Sequence, residues 1–145
     1  MSANGQMIVN GTYTGNYGNS EAFFVQLNAD NHVLIAVQTV DGIPSTPNQY
    51  QGQGNQMSIL QFSPNMSQLE WVSSIAHMAP SAFLVDNCNR IYLSGHGLFG
   101  NSFDITPGAI FSTQLGFYLM QLAPEAIALD YSTYYGNSGS HVDGG

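Results

Sequence analysis

Apolar residues come in short runs separated by clusters of glycine, proline, asparagine and aspartate, never in long stretches. The runs at 6–9, 22–27, 33–39, 58–62, 69–74, 82–85, 90–94, 117–122 and 129–134 are rich in Val, Ile, Leu and aromatic side chains. Such residues fit the pleated, half-buried surface of a strand. The clusters between them supply the matching turn chemistry. Helical periodicity is nearly absent: its best stretches, 75–78 and 123–129, are short and interrupted by Pro80 and Pro124. The pattern predicts an all-β protein built as a sandwich, barrel or propeller.

An internal repeat narrows that choice. Residues 21–76 can be laid on residues 81–136 at an offset of 60. Ala22, Phe23 and Val25 then meet Ala82, Phe83 and Val85, and Thr46-Pro47 meets Thr106-Pro107. Gln61, Pro64 and Leu69 meet Gln121, Pro124 and Leu129, while a slip of two residues at the second strand brings 33–36 onto 91–94. Each copy reads strand, Asn-rich turn, strand, long Thr-Pro loop, strand, Pro-centred turn, strand. Four strands recurring at a fixed period predict antiparallel propeller-like blades.

The expected division is 1–20 as the last strand and loop of a preceding blade, 21–80 and 81–136 as two complete repeats, and 137–145 as a linker into another. GTYTGN at 11–16 matches STYYGN at 132–137, the end of a fourth strand, and HVDGG stands where another first strand should begin. Two blades do not close a ring. The chain is therefore expected to be a segment of a larger propeller, with assembly of several copies as the alternative.

Charge narrows the partners. Nine acidic residues stand against one basic residue, Arg90, for a net charge of -8. Nucleic acid and anionic membrane surfaces are excluded as partners, because both need clustered Lys or Arg. Only 7% of residues are charged and 12% are aromatic, which argues against intrinsic disorder. Cys88 is the sole cysteine, no apolar run reaches 18 residues, and the first residues lack the basic start of a signal peptide. No membrane insertion is expected, and any export signal would lie outside this chain. With no lysine at all, the surface must be covered by Asn, Gln, Ser, Thr and Gly, a profile commoner in extracellular β-proteins.

The run AFLVDNCNRIYLSGHG, followed by ITPGA, GFYLMQL and LDYSTYYG, resembles the bacterial β-propeller repeat abbreviated SBBP. The terminal HVDGG adds to the likeness, which is strong over 81–145 and looser over 1–80. Gln61 and Gln121 stand where the family often has lysine, Asn89 replaces the usual turn glycine, and His96 replaces a frequent aromatic. The first copy also lacks the glycine after Thr46-Pro47. The resemblance implies large surface proteins of gliding bacteria, exported by type IX secretion, and carries no catalytic residues over.

Candidate chemistry is sparse. His32, His77, His96, His141 and Cys88 show no zinc spacing. The equivalent turns Asn28-Ala29-Asp30-Asn31 and Asp86-Asn87-Cys88-Asn89 offer oxygens for calcium, but one carboxylate each. Asx turns explain them more simply, with Cys88 as a small, partly buried residue. Glu70 and Asp130 form a tempting glycosidase pair; their equivalence in successive repeats argues for a structural role, facing outward on the outermost strand. Gly136-Asn137-Ser138-Gly139 lacks the first spacing and following helix of a nucleophile elbow. Tyr13, Tyr17, Tyr50, Trp71, Tyr118, Tyr131, Tyr134 and Tyr135 could stack on sugars, though packing accounts for most of them. One of the adjacent Tyr134 and Tyr135 should enter the core between repeats, and the other should be exposed.

The expectation is a non-enzymatic structural or recognition segment of a secreted or cell-surface β-propeller protein, related to adhesion or gliding. No metal, cofactor or catalytic residue is expected. Its partners would be other blades of the parent protein, further copies of itself, or a carbohydrate or protein ligand. The alternatives are part of an extracellular polysaccharide-active enzyme, or a self-assembling β scaffold.

Overall fold

The computed structural model describes residues 5–14, 18–97, 103–114 and 116–136. Tyr17, His141, the serine-glycine run at 137–139 and HVDGG lie outside the described residues. Among the described residues eight strands form: β1 (Ser20–Leu27), β2 (Val33–Thr39), β3 (Met57–Phe62), β4 (Leu69–Ala76), β5 (Met78–Val85), β6 (Ile91–Gly97), β7 (Phe117–Leu122) and β8 (Leu129–Tyr135). They make two four-stranded antiparallel sheets, β1-β2-β3-β4 and β5-β6-β7-β8, each an open meander. The chain is all-β, as the pattern predicts.

Three expectations change. Residues 6–9 form no strand; an apolar run becomes a strand only where it joins the hydrogen-bond ladder of a neighbouring strand. The 75–78 stretch is strand, so only His77 separates the two sheets and the second begins at Met78 rather than at 81. Pro80 reads as a break in the sequence. It sits instead in β5, opposite Gly95 and beside a bulge, at a sheet edge where a missing N–H costs no ladder bond. At 123–129 the chain makes only a 3₁₀ turn, Pro124–Ala126, with Glu125 and Ala126 at positive φ.

The repeat is real in structure, but its register differs. Phe24 pairs with Ala36 after a bulge, and Ala82 pairs with Ser94 after an equivalent bulge. Phe24 therefore corresponds to Ala82, and Val25 to Phe83, an offset of 58 through the first two strands. From β3 onward the offset is 60, because Phe62 pairs with Leu69 as Leu122 pairs with Leu129. The slip falls once, in the long loop after the second strand. Side chains alternate with period two, so matching the first strand at an offset of 60 keeps every residue on its face, and the sequence shows the slip of two only at the second strand.

One face of the first sheet packs on one face of the second. Leu34, Ala36, Met57, Ile59 and Trp71 join Phe83, Ile91, Leu93, Met120 and Leu122 in a single buried cluster. Each such side chain contributes roughly 1.5–3 kcal/mol on burial. The other face of the first sheet carries a smaller cluster of Val37, Leu60, Phe62 and Val72. With apolar residues on both faces, β2 and β3 read as continuous apolar runs rather than alternating ones.

Each long loop returns to cover the outer edge of its sheet. Thr46 donates its N–H to the Val72 carbonyl at 3.0 Å, and its hydroxyl accepts the Val72 N–H at 3.0 Å. In the second repeat the Thr106 hydroxyl donates to the Ser132 carbonyl at 3.3 Å and accepts the Ser132 N–H at 2.9 Å. The Thr-Pro motif thus closes an edge that would otherwise offer unpaired backbone groups.

Candidate functional site

The crevice between the sheets opens at one end into a groove of about 640 Å³, lined by Thr46, Asn48, Gln49, Glu70, Trp71 and Glu125 among others. Its residues come from distinct local devices. His32 ends the β1–β2 turn, where Asn28 Oδ1 accepts the N–H groups of Asp30 and His32 at 3.0 and 2.8 Å and Asn31 takes φ 63°. This is an Asx turn, which asparagine tolerates. Gln61 projects from β3. Glu70 is the unpaired residue of a bulge, since Gln61 pairs with Trp71 and Phe62 with Leu69. Bulges re-aim side chains.

These devices bring three side chains together. His32 Nδ1 lies 2.5 Å from Glu70 Oε2, and the Gln61 amide donates to the same oxygen at 2.9 Å. A ring nitrogen that donates to Glu70 has no lone pair left for Gln61, so the 3.4 Å approach between them is only proximity. The pair is about a quarter exposed on each side, where water screens it to at most about 1 kcal/mol. Behind it, the Trp71 indole N–H is buried without a hydrogen-bond partner among the described residues.

The second sheet repeats the triad in different chemistry. Arg90, Gln121 and Asp130 occupy the positions of His32, Gln61 and Glu70, and Asp130 likewise sits in a bulge, exposed. The sequence pairing of Glu70 with Asp130 is therefore an equivalence across repeats; the two belong to different sheets and different surroundings.

Asp86, the carboxylate nearest Arg90 in sequence, serves its own turn. Its Oδ1 accepts the Cys88 and Arg90 N–H groups at 2.8 and 2.9 Å, and Oδ2 accepts the Tyr92 hydroxyl at 3.1 Å. Desolvation pushes its acidity one way. The two backbone bonds, the Tyr92 bond and the Arg90 charge outweigh that and hold the carboxyl below its usual range. Both Asn/Asp turns thus spend their oxygens on backbone N–H groups and neighbouring side chains, and no group of three or more His, Cys, Asp or Glu converges among the described residues. Cys88 is exposed rather than partly buried, because it stands at the tip of this turn. His77 and His96 lie elsewhere, His96 edge-on to the Phe117 ring at 6.5 Å.

A second polar cluster crosses between the repeats and was not legible beforehand. Asp104 accepts the Tyr50 hydroxyl at 2.6 Å and the Gln53 amide at 2.8 Å. Its backbone carbonyl accepts the hydroxyls of Tyr118 at 2.7 Å and Ser132 at 2.8 Å. Burial, then the bond to Asp104 and its charge, push the Tyr50 phenol well above its ordinary range. Burial does the same to Tyr118, against a lowering bond from Ser132. The available signal was that Asp104 precedes Thr106-Pro107 by two residues, where the first copy has Pro44.

Of the candidate sugar-stacking aromatics, Trp71, Tyr118 and Tyr134 are buried in the core between the sheets. Tyr135 is exposed and stacks on Phe117, which bears out the split expected for the adjacent tyrosines. Tyr13 is fully exposed. No protein-family model matches this chain, and no curated protein or solved structure matches it.

Proposed function

We propose that the chain is a non-enzymatic structural and recognition segment of a secreted or cell-surface bacterial β-propeller protein, with each sheet serving as one blade. Adhesion or gliding at a bacterial surface is the setting that the SBBP-like motifs suggest. The observation that carries the reading is how the reactive groups are used. Glu70 is tied to His32 and Gln61, Asp86 to its turn, and Asp104 to the contact between repeats. Each is engaged by donors of the protein itself, Glu70 while about a quarter exposed at the groove. What remains open is a groove rimmed by amides, the Thr46 hydroxyl and the Glu70 and Glu125 carboxylates, which suits adaptable polar contact. Gln61 and Gln121 stand where SBBP-type repeats often carry lysine, so this blade surface offers amides rather than cations for contact.

Retention of the purified chain on cellulose, chitin, starch and xylan tests this directly, alongside release of reducing ends. Retention on at least one polymer is expected without turnover. Asn48→Gly, which keeps the positive φ at that position while removing the amide, should weaken retention several-fold. Reducing-end release by the wild type that Glu70→Gln abolishes would sink the proposal in favour of a hydrolase.

A further inference from the structure

Because the sheets are copies of one unit, the contact between them defines two unlike faces. Val25, Leu27, Val33 and Ile35 correspond to Phe83, Val85, Ile91 and Leu93 by strand pairing. On the second sheet those four are 6, 9, 1 and 0% exposed, buried in the core shared with the first sheet. On the first sheet no strand among the described residues covers their counterparts: Val25 is 63% and Leu27 57% exposed, and Val33 and Ile35 are partly buried against the Leu60 cluster. The covering face shows the converse. Phe24, Leu34 and Ala36 belong to the shared core, and the Gln26 amide reaches the Phe83 carbonyl at 3.4 Å. Their counterparts Ala82, Leu84, Tyr92 and Ser94 form the far side of the second sheet, where Leu84 is 54% exposed.

We propose that these two free faces bind each other between copies of this chain, head to tail, repeating the contact that already joins the two sheets. The inference rests on reading the sheets as equivalent blades. It is continuous with the internal interface at the turns as well. There Asn89 accepts the Ala29 N–H at 2.8 Å and donates to Asp30 at 2.9 Å, clasping the neighbouring turn. Asn31 holds the equivalent place at φ 63° against 61°, and it is exposed. Its counterpart contact is the exposed turn at Asn87 and Cys88 of a second copy. Thr12–Thr14 borders the outer end of the receiving face, above Leu60 and Phe62. The docking surface is therefore its inner half, β1 and β2. A contact between unlike faces is heterologous, so it propagates into a ring or a filament rather than stopping at a symmetric dimer.

Sedimentation equilibrium on three chains reads this out: wild type, Val25→Lys/Leu27→Lys, and Leu84→Lys. All three positions are more than half exposed, so folding should be unaffected, and circular dichroism checks it. Lysine lowers the net charge magnitude, so lost association cannot come from added repulsion. Wild type should associate beyond a dimer, and each variant alone should be monomeric. Mixed together, the two variants should form a one-to-one complex and nothing larger, because each retains one intact face. A wild type that stays monomeric at about 100 µM, where a micromolar contact is saturated, overturns the proposal. So does a Leu84→Lys chain that associates like wild type. Polysaccharide retention by a monomeric wild type would leave the recognition reading standing while this one falls.

Discussion

The two repeats share a backbone and differ in the side chains built on it. Positions that bind backbone keep their role: Asn28 and Asp86 hold the first turn, and Thr46 and Thr106 clamp the outermost strand. Of the three positions that meet other side chains at the crevice end, two diverge and only the glutamine is kept. His32, Gln61 and Glu70 converge in the first repeat, whereas Arg90 and Asp130 in the second form no ion pair among the described residues. A repeat unit is thus specified by what its backbone requires. Its end-of-crevice chemistry is free to vary, which is where recognition can be placed on an unchanged scaffold.

The largest asymmetry should come from Gly52 and its counterpart Ser112. A Cβ on Gly52 would stand 1.8 Å from the Ile75 carbonyl oxygen, a backbone atom that cannot step aside. Gly52→Ala should also break the Gly52 N–H bond to Ser74, at 2.9 Å, and cost about 3 kcal/mol or more. Ser112 is exposed, and Ser112→Ala should fall within about 0.5 kcal/mol of wild type. Urea denaturation of both variants measures the difference; equal losses would mean that the two loops are held alike.

Trp71 and Tyr131 come next. Trp71 is buried between the sheets, so Trp71→Ala should cost about 3–5 kcal/mol. Tyr131 is only partly buried on the free face, and Tyr131→Ala should cost less than half as much. Trp71→Phe sharpens the point: the indole N–H has no partner to lose, so only volume is sacrificed and about 1–2 kcal/mol is expected. A Phe variant as damaged as the Ala variant would show that the N–H is in fact satisfied. The threonine clamps should behave oppositely, as equals. Thr46→Val and Thr106→Val should each cost about 1–2 kcal/mol and add in the double variant, since the two clamp separate sheets.

These contrasts explain what could be read from the chain. The strands at 33–39 and 117–122 were legible to the residue, because β-branched and aromatic runs between turn residues leave no other option. The bulges at Phe23 and Glu70 were not, because a bulge is set by pairing with a neighbour, and period-two matching hides slips of two. Pro80 misled for the same reason: its tolerance depends on sitting at a sheet edge. Of the site, Glu70 and its equivalence to Asp130 were visible. The convergence of His32 with Glu70 was not, since 38 residues separate them and only the bulge aims them together. Asp104 escaped because its partners, Tyr50 and Gln53, lie in the other repeat's loop.

The smallest effect isolates one chemical difference between two turns of the same backbone shape. Asn28 and Asp86 make the same two backbone bonds, but only Asp86 can be protonated. Its carboxyl is held below the usual range, so the folded state favours the ionised form more than the unfolded chain does. The stabilisation is therefore present above the unfolded carboxylate value of about 4 and is lost as pH falls through the lower folded value. Because the group is exposed, the effect is small, but its direction is fixed. Asp86→Asn should leave stability near neutral pH almost unchanged and flatten the decline below about pH 4. Asn28→Asp should steepen that decline by giving the first turn the same acid sensitivity. Thermal midpoints for the three chains from pH 2 to pH 7 decide it. An Asp86→Asn chain with the wild-type acid slope would show that the protons are taken up elsewhere, leaving the two turns equivalent in charge as well as in shape.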